Sequence, residues 1–218
     1  PIKRPLKYLA IAGCCLTSIG ILLSQSRGGW IAVAVSSVLF FSIAYYRGWI
    51  PFSFLLWSGL ATIGAGAIFY PILIERIAVG DSNGAVAGRV PLIGIAFNMI
   101  QDKPVLGVGM NNFAIELLSY ARLKRAFLWP HIVHNKFLIV WSETGTLGLL
   151  FFMGFLISSI SYAWRAWITQ NRTVAPLALA IAVAIVGQMI HMNFDIFGGR
   201  SIIQTLWIIC LLYTSDAA

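Results

Sequence analysis

Apolar positions along this chain gather into six blocks, separated by shorter polar stretches. The blocks cover about residues 8–24, 29–46, 50–70, 135–163, 174–194 and 201–213. Most are long enough for a helix to cross the roughly 30 Å hydrocarbon core of a bilayer, and only the last is short. The pattern predicts an all-α fold, a polytopic transmembrane helical bundle with about six membrane helices. One large hydrophilic excursion, about residues 71–133, lies between the third and fourth blocks and is rich in charge, Gly and Pro. The expected organisation is three transmembrane helices in 1–70, an extramembrane loop in 71–133 and C-terminal transmembrane helices in 134–218, all within one membrane domain. The sequence begins at Pro1 without a methionine, and "TSDAA" interrupts the last block, so it reads as a fragment of a longer chain.

A second periodicity sits inside the excursion. In "GRVPLIGIAFNMIQDKP", Val90, Ile93, Phe97 and Ile100 recur at helical spacing. They predict an amphipathic helix along the membrane surface, with Arg89 near its N-terminus and "DKP" as its stop. The run "GVGMNNF" that follows reads as a tight glycine turn, because it lacks the strand and helix context of a dinucleotide loop.

Composition supports the membrane reading: 59% of residues are hydrophobic, 10% are charged, and mean hydropathy is +0.86. Cys14, Cys15 and Cys210 lie in apolar blocks without metal-type spacing. Basic residues in the short connections set orientation. Lys3, Arg4, Lys7, Arg47, Arg165 and Arg172 fall on one side and only Arg27 and Arg200 on the other, which places the first group in the cytoplasm. "SQSRGG", the long loop and "DIFGGR" then share the outer face. The net charge of +8 is ordinary for a membrane protein. The informative feature is that Arg76, Arg89, Lys103, Arg122, Lys124 and Arg125 all lie in the loop, on the face where the topology rule predicts few cations. A basic outer surface beside lipid fits an anionic partner such as a phosphorylated lipid; no nucleic-acid motif accompanies it.

Individual residues on that face have two readings each. Arg27 in "SQSRGGW" is either a snorkelling anchor or a guanidinium fork for phosphate, with Gly28 and Gly29 letting a ligand come near. His134 opens the fourth apolar block. On one continuous helix, His134, Leu138, Trp141, Gly145 and Gly148 would form a stripe against neighbouring helices. Glu143 would lie half a turn around from His134 and about 13 Å along, too far to orient the imidazole, so a structural role is the favoured one. Asp195 and Arg200 either pair with each other or contact substrate, and His191 stands one turn before Asp195. Arg122, Lys124 and Arg125 face solvent or headgroups and can recruit an anionic lipid. Glu75, Asp81, Asp102, Glu116 and Asp195 are scattered without metal spacing, so no divalent metal is expected in the chemistry.

"HNKFLIVWSETGTLG" resembles the signature of the bacterial O-antigen ligase and O-antigen polymerase superfamily: His, then Asn, Ser or Gln, nine residues, then Gly-x-x-Gly. His134, Asn135, Gly145 and Gly148 satisfy it without a gap. "SQSRGGW" resembles that family's Ser-Arg-Gly helix turn, and residues 88–113 resemble its Gly-Arg, amphipathic helix and Pro-x-x-Gly-x-Gly run. The resemblance runs from about residue 8 onward and corresponds to the C-terminal half of a family protein.

The resemblance implies a metal-independent, inverting membrane glycosyltransferase of the bacterial inner membrane, working on its periplasmic face. The donor is a glycan on undecaprenyl pyrophosphate and the acceptor a hydroxyl of lipid A core or of another glycan. By motif, Arg27 and Arg89 match the family's two essential arginines and His134 its histidine, while Asn135 would orient the imidazole or a sugar hydroxyl. Ligase is the first choice and polymerase the alternative. A solute transporter is the reading from another class; it is disfavoured because the polar residues crowd one face instead of the midplane.

Overall fold

The computed structural model describes residues 4–24, 26–71, 74, 85–121, 132–168, 174–196 and 204–206. Every regular element among them is helical: α1 (Arg4–Leu23), α2 (Arg27–Tyr46), α3 (Phe52–Ile68), α4 (Ala85–Asp102), α5 (Phe113–Tyr120), α6 (Lys136–Ile168) and α7 (Val174–His191). Among the described residues, α2, α6 and α7 are long and apolar enough to cross a membrane. Two shorter apolar helical stretches, Lys7–Leu23 and Phe52–Ile68, accompany them. The sixth expected segment lies almost wholly outside the described residues.

α7 is the centre of the bundle, packed against α2 on one side and α6 on the other. Its buried positions are mostly small, including Ala175, Ala178, Ala182 and Gly187, which lets neighbouring backbones approach closely. A Cβ on Gly187 would strike the Ser36 side chain, and the Ser36 hydroxyl reaches the Val183 carbonyl at 3.4 Å. At one end of the bundle Arg47, the C-cap of α2, lies over the rings of Trp49 (5.7 Å) and Trp167 (5.3 Å). The C-terminal ends of α2 and α6 therefore meet there, and their N-terminal ends lie away from it. α1 and α3 flank α2 through a Trp30 indole donating to the Ile21 carbonyl (2.9 Å) and through the ring pairs Phe41–Phe54 and Tyr45–Phe52.

α6 departs from the expected straight span. Gly145 has φ 68 and ψ −173, a conformation outside the helical region that only glycine adopts readily. On a straight helix Phe137 and Phe152 would be about 22 Å apart along the axis. Their ring centroids are 6.1 Å apart, so the chain folds into an elbow at Gly145. Residues 136–144 form one arm and residues 146–168 the other, long enough by itself to span. The stripe from His134 to Gly148 expected on one continuous helix is thus broken. A Cβ on Gly145 would collide with the Val105 backbone, and one on Gly148 with the Thr144 side chain.

The elbow exposes backbone groups that a continuous helix would pair internally, and the turn after α4 takes them. Val108 and Gly109 donate to the Ser142 and Glu143 carbonyls, both at 2.9 Å, while the Thr146 N–H donates to the Pro104 carbonyl at 2.8 Å. The Thr146 hydroxyl also donates to Pro104 O (2.8 Å) and accepts from the Trp141 indole (3.1 Å). The Ser142 and Glu143 carbonyls and the Thr146 N–H thus keep partners, as buried backbone requires. The turn is built for this contact: Gly107, Gly109 and Asn111 all have positive φ, and a Cβ on Gly107 would strike the Glu143 backbone. The tight glycine turn read from "GVGMNNF" is present.

α4 ends at Asp102, before Pro104, as expected. Of the apolar face read from the sequence, Ile100 is buried at 6% exposure, and the other three positions lie at the surface, where a helix along a membrane would present them. Leu92, Ile95, Ala96 and Met99 are buried in a cluster with Val108, Phe113, Leu117, Val133 and Ile139, whereas Val90, Ile93 and Phe97 are 62%, 38% and 43% exposed. Both sides of the helix are apolar, and the core selects the side carrying Ala96, where a small residue allows close approach. Arg89 is half-buried in the second turn, since the helix begins at Ala85 and not beside Arg89.

Candidate functional site at the foot of the elbow

Three chain segments meet at the end of the bundle opposite Arg47. The first is the start of α2. Ser26 is its N-cap, with the hydroxyl accepting from the Gly29 N–H at 3.1 Å, and Arg27 is its exposed first residue. Serine suits this place because its side-chain oxygen satisfies an N–H that the first turn leaves unpaired. Gly28 is buried because Phe194 rests on it: a Cβ there would lie 2.6 Å from Phe194 Cβ. The two glycines thus admit another part of the protein as well as leaving room around the arginine.

The second segment is the end of α7. His191 closes the helix and a turn continues through Phe194. His191 Nε2 is 3.9 Å from Asp195 Oδ2 and 3.9 Å from where a Cβ on Gly29 would sit. Asp195 is therefore engaged with His191; Arg200, the other partner considered for it, lies outside the described residues. Asp195 Oδ1 also accepts from the Ile196 N–H at 2.6 Å.

The start of α6 is the third. The Lys136 N–H donates to the Met192 carbonyl at 2.8 Å, which ties the foot of the elbow to the turn that covers Gly28. His134 is half-buried two residues before the helix proper, not its first residue. Asn135 Oδ1 accepts from the Leu138 N–H at 3.0 Å and caps the helix. That oxygen is occupied by the cap, which leaves the amide nitrogen of Asn135 for any outward contact.

The turn 191–194 is thus a common support for Arg27 and His134. Arg89 lies on α4, whose Phe97 ring, eight residues further on, lies edge-on to Trp141 of the arm after His134 at 6.4 Å. Arg122, Lys124 and Arg125 lie outside the described residues. The chain matches the O-antigen ligase family over residues 12–153, well over half its length.

The chain belongs to the O-antigen ligase family.

No curated protein matches it. The O-antigen ligase match spans α2, α4, the glycine turn and the elbow, the elements that carry Arg27, Arg89 and His134. Membership identifies a membrane protein of a glycan-processing family. The sequence did not point to the Met192 carbonyl or the Phe194 lid on Gly28; for Glu143 it favoured a structural role, and the carboxylate accepts from the Phe113 N–H at 3.1 Å. The available signal was glycine placement: Gly28, Gly107 and Gly145 each mark a spot where another segment comes too near for a Cβ.

Proposed function

We propose that this chain is the catalytic part of a membrane glycosyltransferase of the O-antigen ligase type. It transfers a glycan from undecaprenyl pyrophosphate to an acceptor hydroxyl on the periplasmic face, with inversion and without a metal. One observation carries the reading: the turn 191–194 touches both the Arg27 helix start and the start of the arm that follows His134, at one end of the bundle. Helix register supports the third member. From the Phe97–Trp141 contact, Arg89 lies eight residues back, about 12 Å, and His134 seven residues back, about 10 Å, on segments that both run toward the elbow.

In this mechanism the bond between the anomeric carbon and pyrophosphate breaks, and negative charge grows on the leaving phosphate oxygen. Arg27 stands at the N-terminus of α2, where guanidinium and helix dipole both favour an anion. Arg89 supplies a second cation. Charge that develops during the reaction is stabilised more in the transition state than in the ground state, which is the condition for acceleration. Neutral His134 takes the proton of the acceptor hydroxyl as it attacks from the opposite face. Asn135 Nδ2 orients a sugar hydroxyl, and Arg122, Lys124, Arg125, Asp195 and Arg200 contact or recruit the lipid-linked donor. The acceptor is lipid A core in a ligase and a second glycan chain in a polymerase.

The test incubates the purified full-length protein with a lipid-linked glycan and both kinds of acceptor, followed by product analysis. Arg27→Ala and Arg89→Ala are each expected to lower turnover roughly a hundredfold or more, and His134→Ala by a similar factor. In cells, lipid-linked donor should accumulate. Products joined only glycan to glycan would identify the polymerase. Full turnover in all three variants would remove these residues from the chemistry, and a loss of solute flux with donor unchanged would favour a transporter.

A further inference from the structure

Glu143 makes two contacts with different parts of the same neighbouring segment. Its carbonyl, released from the helix by the Gly145 elbow, accepts the Gly109 N–H at 2.9 Å. Its side-chain Oε1 accepts the Phe113 N–H at 3.1 Å. Phe113 is the first residue of α5, and Asn112 at the N-cap position makes no side-chain capping bond there. The Asn112 amide instead donates back to the Val108 carbonyl at 3.2 Å. The helix-start N–H that Asn112 leaves unpaired is thus capped by a carboxylate from another element, where negative charge also complements the α5 dipole.

That contact has a consequence for the site. The arm 136–144 ends at His134 and carries Glu143 at its other end, while the turn held by Glu143 is the direct continuation of α4, which carries Arg89. The Tyr120 hydroxyl donates to the Asp102 carboxylate, which returns the far end of α5 to the end of α4. The turn and α5 are therefore closed into a loop fastened to the histidine's arm by the Ser142 carbonyl, by packing on Ile139 and by both the carbonyl and the side chain of Glu143.

We propose that Glu143 is a positioning residue: through its bonds to Gly109 and Phe113 it fixes the register between the arm that ends in His134 and the helix that bears Arg89. The proposal rests on the glycosyltransferase reading above. Glu143 acts as a hydrogen-bond acceptor in this role, and its charge is dispensable. A misplacement of about 1 Å between reacting groups costs up to roughly a hundredfold in rate, which sets the size of effect to look for.

The test compares Glu143→Gln, which keeps a side-chain acceptor for the Phe113 N–H, with Glu143→Leu and Glu143→Ala, which remove it; the backbone carbonyl that accepts from Gly109 is present in all three. The full-length protein is studied in lipid nanodiscs with two readouts. Hydrogen exchange across 107–120 is expected to speed up in the Leu and Ala variants and stay near wild type in Gln, with α2 and α7 unchanged as the control for folding. Turnover of a lipid-linked glycan is expected to show kcat reduced roughly ten- to hundredfold in Leu and Ala, with donor KM near wild type and Gln within about threefold of wild type. A Gln variant as impaired as Leu would overturn the proposal in favour of a charged role. Unchanged exchange in Leu and Ala would overturn the clamp, and full kcat despite faster exchange would overturn the positioning role. A wild-type protein that turns over no donor would sink the enzymatic reading and the positioning role with it, and the exchange difference would still separate that outcome from a failed clamp.

Discussion

At the scale of single residues, some polar side chains around the foot of the elbow are spent on backbone contacts. Asn135 shows the pattern: a motif residue next to His134 spends its side-chain oxygen on capping α6. Replacing a capping residue by Ala typically costs about 1 kcal/mol, so Asn135→Ala should loosen the His134 backbone as well as remove an amide. Tyr120 and Asp102 offer a separate handle. The hydrogen bond to the Asp102 carboxylate, followed by partial burial and the nearby negative charges of Asp102 and Glu116, pushes the Tyr120 phenol up to about 12 from its ordinary 10.0. Because the folded value is raised, the stability from this contact is fully present below pH 10 and is lost as pH rises through about 12. Ultraviolet titration of tyrosinate should therefore show the wild type minus Tyr120→Phe difference moving to lower pH in Asp102→Asn. An unchanged midpoint in Asp102→Asn would mean that the bond does not form in solution. Arg27 and His134 stand out in the sequence as candidates because they sit at the edges of apolar blocks, and Arg89 because it precedes an apolar periodicity inside the loop. The contacts that hold the neighbouring Gly28 and Lys136 were not legible, since Phe194 contributes only bulk and Met192 only a carbonyl.

At the scale of elements, the helices were legible and the elbow was not. An apolar run from Phe137 to Ile168 has the composition of one membrane helix, and its length, well beyond the roughly 20 residues a bilayer needs, was the warning. Hydrophobic periodicity cannot report a single glycine at positive φ, because the arms on both sides keep helical spacing. α4 carries apolar residues on two faces, and which positions pack into the protein interior was decided by contacts with Val133 and Ile139 far along the chain. The elbow makes a sharp claim about Gly145. A β-carbon there faces the Val105 backbone, and non-glycine residues in this conformation carry a penalty of about 1–3 kcal/mol before any collision. Gly145→Ala should release the turn 104–109 and cost activity. Gly154→Ala, on the spanning arm with open space at its Cβ position, should cost little. Thermal unfolding in detergent, monitored for both variants, checks this; equal midpoints would argue that the elbow straightens in the membrane.

For the whole molecule, the two ends of the bundle carry different chemistry, and the polarity of α2 fixes which is which. Arg47, Trp49, Trp164, Arg165 and Trp167 gather at one end, a mixture of basic and amphipathic aromatic residues suited to a membrane boundary. The foot of the elbow, with Arg27, His134 and His191, belongs to the other. From the positive-inside argument we propose that the tryptophan end faces the cytoplasm and the foot the opposite side, where the proposed lipid-linked glycan would be presented. Cysteine labelling decides this without reference to activity. With Cys14, Cys15 and Cys210 replaced by Ser, Asn193→Cys reports the foot and Tyr46→Cys, at an 89% exposed position, reports the opposite end. A membrane-impermeant maleimide applied to intact spheroplasts should label Asn193→Cys at once and Tyr46→Cys only after the membrane is opened. The reverse order would place the two arginines and the histidine in the cytoplasm, out of reach of a periplasmic acceptor. Labelling of both from one side would break the pairing of α2 with α7 itself, since those two positions lie at opposite ends of that pair.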